Sequence, residues 1–67
     1  MNVIVNGEER TLENAKSVEE FLTDIGLDPK KVAVERNLVI VPKSEFSTHM
    51  LDDGDKLEIV HFIGGGA

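Results

Sequence analysis

Short apolar runs separated by polar turn signals divide this chain into a few predicted strands and one helix. Val3-Ile4-Val5 predicts a first strand. Asn6-Gly7 follows it and is the dipeptide that best tolerates positive φ at both central positions of a type I′ turn. A second strand around Arg10-Thr11-Leu12 should therefore lie antiparallel to the first, so that the chain begins with a β-hairpin.

A helix is predicted to begin after Ser17. Ser17 and Glu20 have the spacing of a capping box, in which the serine oxygen accepts from the Glu20 backbone N–H and the glutamate carboxylate reaches back. The apolar residues that follow recur at helical spacing on one face: Val18, Phe21, Leu22 and Ile25. Gly26 supplies a left-handed residue at the helix end, and Pro29 blocks continuation. The pattern is that of a short amphipathic helix with one buried face.

The second half of the chain predicts three more strands. Val32-Ala33-Val34 and Val39-Ile40-Val41 are β-branched runs on either side of the turn-prone Asn37. Residues 52–55 form a tight acidic turn that leads into a strand over Lys56 to Ile63. Because this last segment alternates at first and then becomes nearly all apolar, we expect it to be buried between neighbouring strands.

These elements predict an α+β fold with one mixed, curved sheet packed on one main helix, which is the ubiquitin-like β-grasp arrangement. A helical crossover between two parts of one sheet favours a parallel partner for an early strand and leaves few topologies. We assign residues 1–63 to a β-grasp domain and residues 64–67 to a flexible C-terminal glycine tail.

Composition excludes several classes of function. The 67 residues contain no cysteine, so the chain has no disulfide, no thiolate metal site and no sulfur nucleophile. A net charge of -6 argues against nucleic acid and favours a basic protein partner. No segment approaches the ~20 apolar residues of a membrane span. We therefore expect a cytoplasmic protein that binds neither nucleic acid nor membrane and, for want of room for an enclosed active site, is not an enzyme.

Candidate metal ligands are few. His49 and His61 lie far apart with no neighbouring ligand at a suitable spacing, so surface or strand-edge histidines are expected. The acidic segment Asp52-Asp53-Gly54-Asp55 lacks the ligand order of a calcium loop, and a turn is the better account of it. No metal site is predicted.

The chain ends in Ile63-Gly64-Gly65-Gly66-Ala67, and this tail is the strongest functional signal. Residues without Cβ can thread a narrow channel, and four extended residues reach roughly 13 Å. A terminal carboxylate could thus enter a partner's pocket, but it is inert until activated, which we expect ATP to do by forming an acyl-adenylate. Because the chain shows no pair of residues able to catalyse this, we expect the partner to be the enzyme.

Several segments together resemble the ThiS family of sulfur carriers in thiamine biosynthesis. The resemblance covers essentially the whole chain and rests on the residues that form the segments V-A-V-E-R-N (32–37), I-V-P-K-S (40–44), D-G-D (53–55) and E-I-V-H-F-I-G-G-G (58–66). It implies that Gly66 is adenylated and converted to a thiocarboxylate, with Gly64 and Gly65 threaded into the partner. It implies a ThiF-type adenylating enzyme that uses ATP and a thiazole synthase, ThiG, as partners, while the chain itself binds no cofactor. Phe62 and Ile63 are candidate partner contacts.

Ala67 departs from the family pattern because it puts the carboxylate on the wrong residue. It could be removed by a peptidase, be foreign to the natural chain, or be accepted by the adenylating enzyme, and we favour removal. Carriers that need such removal also serve homocysteine, methionine or cysteine synthesis, which is the first alternative. The second is a ubiquitin-like modifier conjugated to lysines, or a binding module that does not need its glycines.

Overall fold

The computed structural model describes residues 1–62. Its strands are β1 (Asn2–Val5), β2 (Glu8–Thr11), β3 (Val32–Arg36), β4 (Val39–Val41) and β5 (Lys56–His61). The helix is α1 (Val18–Asp24), and two short 3₁₀ turns span Pro29–Lys31 and Lys43–Glu45. The five strands form one sheet in the order β2-β1-β5-β3-β4.

Two tight turns make the two hairpins of the sheet. Asn6 and Gly7 both have positive φ, 49° and 84°, which confirms the predicted type I′ geometry between β1 and β2. The turn between β3 and β4 has positive φ at Asn37 and also at Leu38, which carries a large side chain. Positive φ is uncommon for such a residue, and the sequence pattern marked only Asn37 as turn-prone.

The last strand is central in the sheet. β5 pairs parallel with β1, where Val5 lies opposite Leu57, and antiparallel with β3, where Val34 lies opposite Ile59. The parallel pairing of an early strand, predicted from the helical crossover, is confirmed. β5 ends at His61, so the predicted strand over Lys56 to Ile63 is too long at Phe62, and Ile63 lies outside the described residues.

The ends of α1 follow the predicted local signals. The Glu20 backbone N–H donates to Ser17 Oγ at 3.1 Å, and the Ser17 N–H donates to Glu20 Oε1 at 2.9 Å, which completes the capping box. At the other end Gly26 has φ +85°. The Leu27 N–H donates back to the Leu22 carbonyl at 2.9 Å, as in a Schellman cap. Pro29, which was predicted to block continuation of the helix, lies five residues beyond Asp24 and begins the first 3₁₀ turn.

The core lies between α1 and one face of the sheet. The buried apolar side chains of the described residues are Val3, Val5, Leu12, Val18, Phe21, Leu22, Val32, Val34, Val41, Phe46, Leu51, Leu57 and Ile59. This is the predicted α+β, ubiquitin-like β-grasp fold. β5 lies between β1 and β3, which confirms the expectation that this strand is buried between neighbouring strands. α1 covers only one face of the sheet, and Val60 is 62% exposed on the other face. The domain boundary predicted after residue 63 lies outside the described residues.

Candidate functional site

The candidate site is the carboxyl end of β5, from which the chain continues into the glycine tail. Phe62 is the last residue that the structure describes. The predicted tail residues lie outside the described part of the chain: Ile63, Gly64, Gly65, Gly66 and Ala67. Their roles stay predictions. The structure describes β5 and Phe62, from which the tail begins, and the contacts that hold them in the fold.

Asn6 fixes the middle of β5 where its neighbour β1 ends. The Asn6 Nδ2 donates to the Ile59 carbonyl at 3.1 Å, and Asn6 Oδ1 accepts the Ile59 N–H at 2.7 Å. The Asn6 side chain thus pairs with both the backbone N–H and the C=O of Ile59. It continues the hydrogen bonding between β1 and β5 beyond the end of β1. This pairing extends the support of β5 toward the tail.

A buried carboxylate fixes the start of β5. Asp55 is 5% exposed and accepts hydrogen bonds from Arg36 Nε at 2.7 Å, Asn37 Nδ2 at 3.1 Å and the Asp52 N–H at 2.7 Å. Burial acts to raise the pKa of Asp55, but the Asp52 N–H, the guanidinium and the Asn37 amide outweigh it and lower that pKa below its usual value. Asp55 is therefore an ionised structural group, and it joins the β3–β4 turn to β5.

The end of β5 is held by contacts among Phe62, Lys30, Lys31 and Lys43. The Phe62 N–H donates to the Lys31 carbonyl at 3.0 Å, which continues the pairing of β5 with β3 by one residue. The Lys43 ammonium lies 4.4 Å from the centroid of the Phe62 ring and donates to the Lys30 carbonyl at 2.7 Å. One cation thus joins the last described residue to both 3₁₀ turns.

The sheet face that α1 leaves uncovered, here called the open face, exposes apolar side chains. Ile40 is 70% exposed and Val60 is 62% exposed. Ile40 lies opposite Glu35 in the β3–β4 register, and Glu35 lies opposite Glu58 on β5. Like charges directly opposite on neighbouring strands disfavour the sheet by themselves. A partner that supplies an apolar surface and a basic group would suit this face.

Neither histidine belongs to a ligand cluster among residues 1–62, where no group of three or more candidate side chains could hold a metal ion. His61 is exposed at the end of β5. His49 is half-buried, and its ring contacts the Arg36 guanidinium and lies 3.7 Å from the Glu45 carboxylate, contacts that the sequence did not indicate. In the same part of the chain, no helix is long and apolar enough to cross a membrane.

Two residues that hold β5 were missed by sequence reasoning. Asn6 was identified only as a turn residue, because nothing local shows that its side chain reaches Ile59, 53 positions away. Lys43 carries no pattern of its own, since its contacts to Lys30 and Phe62 depend on how two 3₁₀ turns meet a strand end. The D-G-D segment did point to Asp55, but only as part of a turn, and nothing in it indicated that Asp55 is buried and forms an ion pair with Arg36.

Comparison with known proteins gives a family match. The model of the ThiS family matches residues 3–66 of the chain, a range that includes the glycine run. The sulfur carrier protein ThiS of Bacillus subtilis is 42% identical over 50 residues, which is 75% of this chain and 76% of that protein. The crystal structure of the thiamine biosynthesis protein ThiS from Geobacter metallireducens superposes with a TM-score of 0.83 at 32% identity, covering 98% of this chain and 100% of that one.

Longer relatives also match. A thiazole synthase of Paramagnetospirillum magneticum is 55% identical over 67 residues, and a thiazole synthase of Magnetococcus marinus is 41% identical over 66 residues. The matches take in 100% and 98% of this chain but 21% and 20% of those proteins. The chain thus spans about a fifth of the length of these two curated relatives.

Proposed function

This chain belongs to the ThiS family, and we propose that it is a sulfur carrier for thiamine biosynthesis whose Gly66 carboxylate becomes a thiocarboxylate. The single observation that carries the proposal is the family match over residues 3–66, since it includes both the fold and the glycine run. The fold supports the same function, because β5 is the central strand and is anchored at Asp55, Ile59 and Phe62, so that the body can dock while the tail reaches into a partner.

The proposed chemistry has two steps, both catalysed by the partner. The Gly66 carboxylate attacks the α-phosphorus of ATP, which forms an acyl-adenylate and releases pyrophosphate. Sulfide (HS⁻) then attacks the acyl carbon and displaces AMP, leaving the thiocarboxylate and releasing a proton. The chain is the carried acyl group and not the catalyst, and ATP is bound by a ThiF-type adenylating enzyme.

A carboxylate on Gly66 requires that the peptide bond to Ala67 be cleaved, whatever follows in the natural chain. We therefore propose that a peptidase acts at this bond before adenylation. Gly64 and Gly65 then form the part of the tail that threads into the enzyme, because residues without Cβ allow the closest approach of two backbones.

The open face is the surface that we propose meets the partners. Ile40 and Val60 supply exposed apolar area, and the facing carboxylates of Glu35 and Glu58 would be neutralised by a basic group. Phe62 is half-exposed at the end of β5, which supports its role as a candidate contact together with Ile63. Thiazole synthase is proposed as the sulfur acceptor because two relatives that contain a matching segment bear that name.

Mass spectrometry of a reconstituted reaction tests the function. A chain ending at Gly66 is incubated with a ThiF-type enzyme, ATP and a sulfur source, and we expect its mass to rise by the replacement of one oxygen with sulfur. Matched chains ending at Gly65 and at Ala67 should stay unmodified. Equal modification of all three chains, or of none, would contradict the proposal.

The acceptor separates the alternatives. We expect the thiocarboxylate to be consumed by thiazole synthase with its substrates and to persist with a homoserine-type sulfhydrylase. If only the sulfhydrylase consumed the thiocarboxylate, the chain would be a carrier for methionine synthesis. An isopeptide adduct on target lysines in cells, with no thiocarboxylate, would instead identify a conjugated modifier.

A further inference from the structure

We propose that Lys43 is a positioning residue that sets the direction in which the tail leaves the fold. Its ammonium lies 4.4 Å from the Phe62 ring centroid and donates to the Lys30 carbonyl at 2.7 Å. The ring is otherwise half-exposed, and the Phe62 backbone is tied to β3 by the N–H bond to Lys31. Lys43 therefore holds the side chain of Phe62, and the backbone of Phe62 already continues the sheet.

The backbone of Lys43 is well anchored. It follows Pro42, whose fixed φ ends β4, and it begins the 3₁₀ turn over Lys43–Glu45. The Phe46 N–H donates to the Lys43 carbonyl at 3.2 Å, and Phe46 is 2% exposed in the core. The cation that contacts Phe62 is thus supported by a buried residue that lies outside β5.

Positioning at Phe62 matters because of the distance to the reacting atom. Gly66 is four residues further along, roughly 13 Å if the tail is extended. When a partner's channel holds the tail extended, a tilt of about 10° at Phe62 would move the end of the tail by about 2 Å. Displacements of this size at a reacting group cost large factors in rate, since catalysis depends on near-attack geometry. This inference rests on the proposed function.

Charge alone does not account for the arrangement. In a chain of net charge -6, the Lys43 ammonium and the backbones of Lys30 and Lys31 meet at one strand end. A partner contact would need only a charge in solvent, whereas Lys43 is committed to an aromatic ring and a carbonyl of its own chain. The two roles differ in what they change: a positioning residue alters the rate within the complex, and a charge contact alters its formation.

The test uses chains ending at Gly66 and a ThiF-type enzyme, with kcat and KM measured by pyrophosphate exchange. Lys43→Met keeps an unbranched side chain that is one atom shorter and removes the cation, and we expect kcat to fall on the order of 10-fold with KM nearly unchanged. Lys43→Arg should restore most of kcat, because a guanidinium also binds aromatic faces. Arg10→Met is the matched control, because Arg10 is an exposed cation on β2, the edge strand at the opposite end of the sheet from β4. This variant should have the kcat and KM of the unaltered chain.

A second measurement does not depend on the enzyme. Amide hydrogen exchange of Phe62, followed by NMR, should be faster in Lys43→Met than in Lys43→Arg or Arg10→Met. Phe62→Leu removes the ring, and the double variant with Lys43→Met should lose no more kcat than the more affected single variant.

Three results would overturn the inference: an unchanged kcat in Lys43→Met, a rise in KM alone that follows ionic strength, or an unchanged Phe62 exchange rate. If the unaltered chain is not adenylated at all, the proposed function fails. The exchange rate of Phe62 then still decides whether Lys43 fixes the strand end.

Discussion

Asp55→Asn is expected to lower the free energy of unfolding by about 2 kcal/mol, although the new side chain has nearly the same shape as the old one. The carboxylate is almost fully buried and accepts from Arg36, Asn37 and the Asp52 backbone. An amide keeps one acceptor oxygen and turns an NH₂ toward one of these three donors. One hydrogen bond is therefore lost, and the others weaken because they no longer involve a charged acceptor.

The matched control is Asp52→Asn, which removes the same charge from the same turn. The Asp52 side chain is 78% exposed and contacts Arg36 Nη2 at 2.8 Å. Because exposed ion pairs contribute little, we expect a loss of about 0.5 kcal/mol. A 67-residue domain has a total stability of roughly 3–10 kcal/mol, so Asp55→Asn removes a large fraction of it and Asp52→Asn does not.

Thermal and urea unfolding followed by circular dichroism measure both variants. The loss expected for Asp55→Asn corresponds to a lowering of Tm by about 8–16 °C. The pKa of Asp55 is lower in the folded state than in the unfolded state, so its ionised form stabilises the fold above the unfolded pKa, and this contribution disappears as the pH falls through the folded pKa. The difference between the unaltered chain and Asp55→Asn should thus be constant near neutral pH and shrink below about pH 4.

Three results would refute this reasoning: a loss in Asp55→Asn below about 0.5 kcal/mol, an equal loss in Asp52→Asn, or a difference that stays the same at pH 3. An equal loss would mean that the charge of the turn matters and the burial of Asp55 does not.

The remaining predictions concern the helix, β5 and the open face. Ser17→Ala removes the capping oxygen of α1 and should lower the free energy of unfolding by about 1 kcal/mol in urea titrations; an unchanged midpoint would contradict the cap. Asn6→Ala leaves both polar groups of Ile59 without their side-chain partner and should cost about 2 kcal/mol, with faster exchange of the Ile59 amide. Val60→Gln adds no further carboxylate beside Glu35 and Glu58, so it should leave Tm nearly unchanged but raise the KM of the carrier for the adenylating enzyme about 10-fold, whereas an unchanged KM would exclude this part of the open face from the interface.

Much of the fold could be predicted because its signals are local. The capping box of Ser17 and Glu20, the left-handed Gly26 and the Asn6-Gly7 turn act within a few residues, and all are found as expected. The candidate site was harder to predict. The glycines mark the tail in the sequence, but the contacts that hold Phe62 come from Lys31 and Lys43, which are distant in the chain.

The sequence by itself determined the strands, the helix with its caps and the residue types of the tail, because backbone preferences and side-chain periodicity depend on near neighbours. Only the tertiary structure decided which strands flank β5, that one face of the sheet stays open, and that Asn6 pairs with Ile59. Those outcomes depend on which distant strands meet and on the single face that one helix can cover. That same packing brings Lys43 to the strand end from which the tail begins.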